Sequence, residues 1–181
     1  MKKITTNQIF WPLAAFIVLL VYNAFFAKNF FKISILDGHL YGNLIDILKN
    51  FAPLALLSIG MTLVIATGGV DISVGSVVAI AGAIACSIID GRLGIFDHNF
   101  VAALILALLS GIACGLWNGF LVAKVKIQPM VATLILMTAG RGIAQLITRG
   151  KIVTINSAPM MKEYYFLGAG YFLGLPFAFF I

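Results

Sequence analysis

The sequence predicts an all-α fold, a polytopic bundle of transmembrane helices with about five complete spans and the start of a sixth. Three observations carry that prediction. Of 181 residues, 62% are hydrophobic and 10% charged, and the mean hydropathy is +1.10. Soluble domains are about one quarter charged, so this chain has too little polar surface to cover a water-facing globule. The apolar residues also fall into runs close to the ~20 residues that a helix needs to cross ~30 Å of hydrocarbon. Charged residues gather between the runs. A soluble enzyme, a nucleic-acid-binding domain and a disordered tail are thereby excluded. The net charge of +6 is scattered between runs, which suits topology-setting flanks rather than a nucleic-acid partner.

Residues 9–27 form the first span, with Lys2 and Lys3 before it and Lys28 after it. The run is longer than a signal-peptide core, and Phe25, Phe26 and Ala27 make no small-x-small cleavage site, so a retained helix is predicted. Pro12 falls in its first turns, where a missing N–H matters least. In the polar connection that follows, Leu44, Ile47, Leu48 and Phe51 recur at helical spacing, predicting a short interfacial helix.

Residues 51–70 and 72–89 are the second and third spans, meeting at TGGVDISVGS (Thr67–Ser76) with almost no loop. After a polar turn, Asp90–Asn99, the fourth span covers residues 100–123 and is closed by Lys124 and Lys126. The fifth covers 127–148, with Pro129 near its start and Arg141 as its one charge. A second polar connection follows, and residues 172–181 read as the beginning of a sixth span. An ending on Phe179, Phe180 and Ile181 suggests the front part of a longer protein, since a mid-span terminus leaves backbone groups unsatisfied in lipid. The basic start and the Lys124/Lys126 connection predict a common, cytoplasmic side, which the four intervening runs allow.

Few residues carry chemistry. Gly111, Gly115 and Gly119 make a flat helix face at four-residue spacing, and Gly75, Ala79 and Ala83 repeat it, predicting close helix packing. The Thr67–Ser76 segment has two readings. One is a tight turn in which the Asp71 carboxylate takes the amide of Ser73 or Val74. The other is a broken-helix element lining a polar pathway, with Gly68, Gly69, Asp71, Ser73, Gly75 and Ser76 in it. Thr138, Arg141, Gln145 and Thr148 fall on one helical stripe. An arginine within a span costs at least about 2.5 kcal/mol, so Arg141 either reaches the interface or pairs, and Asp71 is the acid available to it. Asn118 is a further polar group in a span, suited to bonding across helices. Cys86 and Cys114 lie in apolar runs as packing residues. His39 and His98 stand apart, and no metal motif is present. Without a GxxxxGK[ST] motif, ATP chemistry would belong to another chain.

The stretches GMTLVIATGGVDISVGSVVAIAGAI (Gly60–Ile84) and GIACGLWNGFLVAKVKIQPMVATLILMTAGRGIAQLITRGKIV (Gly111–Val153) resemble the membrane permeases of bacterial ABC-type monosaccharide importers, those for ribose, xylose, galactose, galactofuranose and autoinducer-2. The resemblance rests on a TGG-D-SVGS element, a G-x-x-x-G-x-x-NG span end, an I-x-P-x-x-x-TL helix start, and an RG followed by T-x-G, in that order. It implies one inner-membrane permease domain over residues 1–181. It implies a second permease subunit, identical or paralogous, and a cytoplasmic ATPase that binds ATP and magnesium. A periplasmic sugar-binding protein would deliver the sugar, with membrane lipid around the bundle and no cofactor in this chain. Members of the family are about twice as long. Gly68, Gly69, Asp71, Ser73, Gly75, Ser76, Asn118, Thr138, Arg141 and Gln145 would then shape a pathway or gate working by alternating access. An ion-coupled secondary transporter with Asp71 as coupling acid, or a channel, remain open alternatives.

Overall fold

A computed structural model describes residues 9–26, 30–36, 39–94, 96, 98–155, 170–172 and 175–176. The elements are α1 (Phe10–Phe26), β1 (Ser34–Leu36), β2 (His39–Tyr41), α2 (Asn43–Ala66), α3 (Val74–Ile89), α4 (Phe100–Ala123), α5 (Pro129–Thr148), β3 (Tyr171–Phe172) and β4 (Leu175–Pro176). The chain divides into two units, Met1–Ala52 with Tyr171–Ile181, and Pro53–Gly170. The first unit holds α1, the antiparallel hairpin β1–β2 with Ser34 opposite Tyr41, the first turns of α2, and the two-residue ladder β3–β4. The second holds the rest of α2 and all of α3, α4 and α5.

Several boundaries differ from those predicted. The helical periodicity at Leu44–Phe51 is no separate interfacial helix; it is the start of α2, which runs unbroken from Asn43 through Pro53. Nothing between Asn50 and Phe51 punctuates the helix, and one proline is absorbed at the loss of one hydrogen bond. At its other end α2 stops at Ala66, and seven residues, 67–73, are non-helical before α3. The junction is therefore longer than expected. α5 begins at Pro129, whose fixed φ and missing N–H suit the first helical position. The predicted helix start at Phe172 is also corrected. Phe172 pairs with Leu175 in a short ladder, because the residue before a proline is pushed into extended backbone. Residues 177–181 lie outside the described residues.

Among the described residues three helices, α2, α4 and α5, are long and apolar enough to cross a membrane. At 24 residues, α4 reaches about 36 Å. α3 has 16 residues and reaches about 24 Å, short of a ~30 Å hydrocarbon layer. α4 starts cleanly because the Asn99 side chain accepts the Ala102 amide at 3.0 Å.

Within the second unit α3 is central, packing on both α4 and α5. Ile80, Ala83 and Ala144 form one buried cluster, against which Cys114 packs. Ile88, Ile89 and Ala103 form another, capped by Ile155. Most large apolar side chains, such as Leu63, Leu116 and Leu146, face outward, as they do when lipid rather than water is the solvent. Among the glycines inside helices, the tightest approach to a neighbouring helix is at Gly140 of α5. A Cβ there would stand 3.0 Å from Ser76 Cβ and 3.3 Å from Ile80 Cδ1. Gly140→Ala is expected to destabilise the full-length protein by about 1–3 kcal/mol through overpacking, read as a lower unfolding temperature in detergent. Gly142→Ala, with open space around its Cβ, should leave that temperature unchanged or raise it. Equal shifts for the two variants would remove Gly140 from the interface.

Candidate functional site

The break between α2 and α3 is built by two local devices. The first ends α2. Gly68 takes φ +79°, its amide reaches the Ile65 carbonyl at 2.9 Å, and the Gly69 amide reaches the Val64 carbonyl at 3.1 Å. This left-handed turn satisfies the last carbonyls of α2, and glycine enters it without strain. The second device starts α3. Asp71 Oδ1 accepts the Ser73 amide at 2.7 Å and the Ser73 hydroxyl at 2.6 Å. Ser73 occupies the N-cap position, but its own side chain does not cap; the carboxylate two residues earlier holds the turn instead. Both devices agree with the tight-turn reading of Thr67–Ser76, and the Ser73 amide is the one Asp71 takes.

Ser73 is fully buried, and a second helix reaches it there. Asn118 Nδ2 donates to Ser73 Oγ at 3.0 Å across 45 residues of sequence. Because Ser73 Oγ spends its single proton on Asp71, it must accept from Asn118, which fixes the direction of the chain: Asn118 to Ser73 to Asp71. Asn118 Oδ1 is buried and has no partner among the described residues. The Ser76 hydroxyl lies 2.7 Å from the Ser73 carbonyl and 3.2 Å from the Leu136 carbonyl of α5. Thr133 Oγ1 sits 3.0 Å from the Pro129 carbonyl and 3.4 Å from the Val70 carbonyl. Side chains from α3, α4 and α5 thus pin the irregular segment.

Of these groups, Asp71, Asn118 and Thr133 border a cavity of about 390 Å³, lined also by Val64, Thr67, Gly69, Val70, Gly115, Gly119, Val122 and Pro129. Among the described residues its wall carries one carboxylate and no cation, and the Thr133 hydroxyl is committed to backbone carbonyls. Chemically it offers acceptors to a donor-rich guest. Among the described residues no three His, Cys, Asp or Glu side chains converge as a metal site would require.

Of the residues singled out by sequence, the structure brings together Gly68, Gly69, Asp71, Ser73, Ser76 and Asn118. It leaves Thr138, Arg141 and Gln145 on an exposed face of α5, where Thr138 bonds back to its own helix at Ile135. Asp71 and Arg141 do not pair. The carbonyl of Val70, next to Asp71, lies 3.4 Å from Thr133 Oγ1 near the start of α5, and Arg141 is eight residues further along that helix, on the order of 12 Å. Among the described residues the ion pair found is Arg92 with Asp90. The glycine stripe behaves differently from a packing face, since no atom stands within 4 Å of a Cβ built on Gly111, Gly115 or Gly119, or on Gly75. Gly115 and Gly119 border the cavity instead. Ala79 is exposed, while Ala83 is buried against Ile80 and Ala144. Sequence reasoning missed Thr133 and Gly140. Thr133 had a signal, a hydroxyl one turn after a helix-starting proline; Gly140 had none.

Ser73→Ala removes the middle of the hydrogen-bond chain and strands the Asn118 amide, at an expected cost of about 1–3 kcal/mol. Asn118→Ala should cost less in the Ser73→Ala background than alone. Thermal unfolding of the four forms measures this coupling; additive costs would mean that the chain does not hold the break.

A profile described as the permease component of the branched-chain amino acid transport system matches residues 43–181. The chain is 50% identical over 171 residues to the galactofuranose transporter permease protein YtfT of Escherichia coli, covering 92% of this chain and 48% of that protein. It is 36% identical to the fructose import permease protein FruF of Bifidobacterium longum, covering 97% and 48%. It is also 36% identical to the ribose import permease protein RbsC of Escherichia coli, covering 91% and 47%. The chain therefore spans about half the length of these relatives. No solved structure matches it at a significant level.

Proposed function

Because the chain belongs to the family described as the permease component of the branched-chain amino acid transport system, we propose that it forms the translocation pathway of an ATP-binding-cassette importer for a monosaccharide. The observation that carries the choice of cargo is the 50% identity to a galactofuranose permease over 92% of the chain. The cavity at the helix break supports it. Its acceptors, the Asp71 carboxylate and Asn118 Oδ1, suit a guest that presents several donors. A sugar brings hydroxyl donors.

In this reading residues 1–181 are one multi-pass domain of the bacterial inner membrane. It has five spans, α3 being completed by the non-helical residues before it. A second permease subunit, identical or paralogous, closes the pathway. A periplasmic binding protein delivers the sugar, and a cytoplasmic ATPase, carrying ATP and magnesium, drives alternating access. Gly68 and Gly69 give the break its turn. Asp71 and Asn118 face the sugar's hydroxyls, Ser73 and Ser76 hold the gate to its neighbours, and Gly75, Thr138, Arg141 and Gln145 lie along the pathway formed with the second subunit. A second reading, an ion-coupled transporter, draws on the half-buried Asp71 carboxylate in an apolar setting.

Uptake of radiolabelled sugar by the full-length protein with its cognate ATPase and binding protein separates the two. An ATPase-inactive partner should reduce uptake to background, and Asp71→Asn should lower it about tenfold or more by loss of a charged acceptor. A protonophore with ATP maintained should leave uptake unchanged. Uptake that survives the inactive ATPase and collapses with the proton gradient would replace the importer by the ion-coupled reading.

A further inference from the structure

We propose that the ends of α3 and α5 together form a binding site for the phosphate headgroup of an anionic phospholipid, with Arg92, Arg149 and Lys151 as its cations. These three side chains, with Ile147 and Thr148, line a cavity of about 280 Å³. Among the described residues the carboxylate in contact with them is Asp90, paired with Arg92, which leaves about two positive charges uncompensated by those residues.

The ordinary task of basic residues at a helix end is to bond the last carbonyls, and here the backbone already does most of it. At the end of α3 the Asp90 amide takes the Cys86 carbonyl at 2.9 Å, Arg92 that of Ser87 at 2.9 Å, and Gly91 that of Ile88 at 3.1 Å. His98 Nδ1 lies 3.0 Å from the Ile89 carbonyl. At the end of α5 the Arg149 amide takes Leu146, Gly150 takes Gln145, and Lys151 takes Thr148. Apart from that of Ile147, the carbonyls are met by backbone and by one imidazole, and among the described residues no carboxylate pairs with the guanidinium of Arg149 or the ammonium of Lys151, which leaves both for an outside anion. Ile155, packed on Ile88, Ile89 and Ala103, draws the segment after α5 across the end of α3 and so sets Lys151 beside Arg92.

A lipid fits better than an acidic protein surface because the pocket is half apolar. Ile147 forms part of its wall, and Ile143, one turn earlier on α5, is exposed. An acyl chain attached to the bound phosphate would run along that face. The site also lies where the apolar helices end, the depth at which headgroup phosphates sit.

The test uses the full-length protein, purified and reconstituted in mixed phosphatidylglycerol and phosphatidylcholine nanodiscs, with retained lipid read by native mass spectrometry. Wild type should retain phosphatidylglycerol in preference to phosphatidylcholine. The double variant Arg149→Gly, Lys151→Gln should lose roughly 30-fold of that preference, two surface cations' worth. Glycine suits the left-handed φ of +54° at position 149, so an unchanged unfolding temperature reports an intact fold. Equal retention of the two lipids by wild type, or undiminished preference in the double variant, overturns the proposal. So does displacement of the lipid by millimolar inorganic phosphate, which would make this a site for free phosphate. Crosslinking of Lys151 to a partner protein in place of lipid overturns it too. None of these outcomes bears on sugar uptake.

Discussion

Backbone that leaves the helix inside an apolar bundle must find new partners for its N–H and C=O groups, and the second unit is arranged around that requirement. Residues 67–73 break the run between α2 and α3. Their polar groups are met by the left-handed turn at Gly68, by the Asp71 carboxylate, and by hydroxyls and an amide from three helices. The same contacts that satisfy the break also set the positions of α3, α4 and α5. Stability and site geometry are therefore not separable here, because the groups that hold the bundle border the cavity.

Much of the fold was readable from hydropathy alone. α1, α4 and α5 fall within a residue or two of their predicted runs, since their ends are marked by lysines, by Asn99 or by Pro129. The errors lie where apolar content is a poor guide to backbone. Hydropathy cannot tell one helix that runs on from Asn43 from a short interfacial helix followed by a span starting at Phe51. It also passes straight through Thr67–Val70, where glycine ends the helix while the residues stay uncharged.

The site was readable in part, for a related reason. Asp71, Ser73 and Asn118 are costly to bury alone, so their presence in apolar runs announced partners. That two of them would meet through the third depends on the crossing of α3 and α4, which no local pattern encodes. The suggested Asp71–Arg141 pair failed on axial position, as charge complementarity carries no information about height along a helix. Small-residue spacing likewise does not say which partner arrives, and Ala83 alone of the second stripe packs in a buried cluster here. Gly111, Gly115 and Gly119 permit close approach, but within this chain Gly140 is where a neighbour arrives. The family relationship supplies the setting in which the open stripe and the open cavity make sense, a subunit whose pathway is completed by another.

The Ser76 hydroxyl has a consequence for motion. Its one proton lies within reach of carbonyls on two helices, Ser73 on its own turn and Leu136 on α5. If α5 slides a little along α3, the proton can remain with Ser73 and neither helix carries a stranded donor. Opposite it stands Gly140, which presents bare backbone with no side chain to interlock. A hydrogen bond with a fallback acceptor, facing a smooth surface, makes this contact a bearing as well as a clamp: tight at rest, with little friction when the helices move.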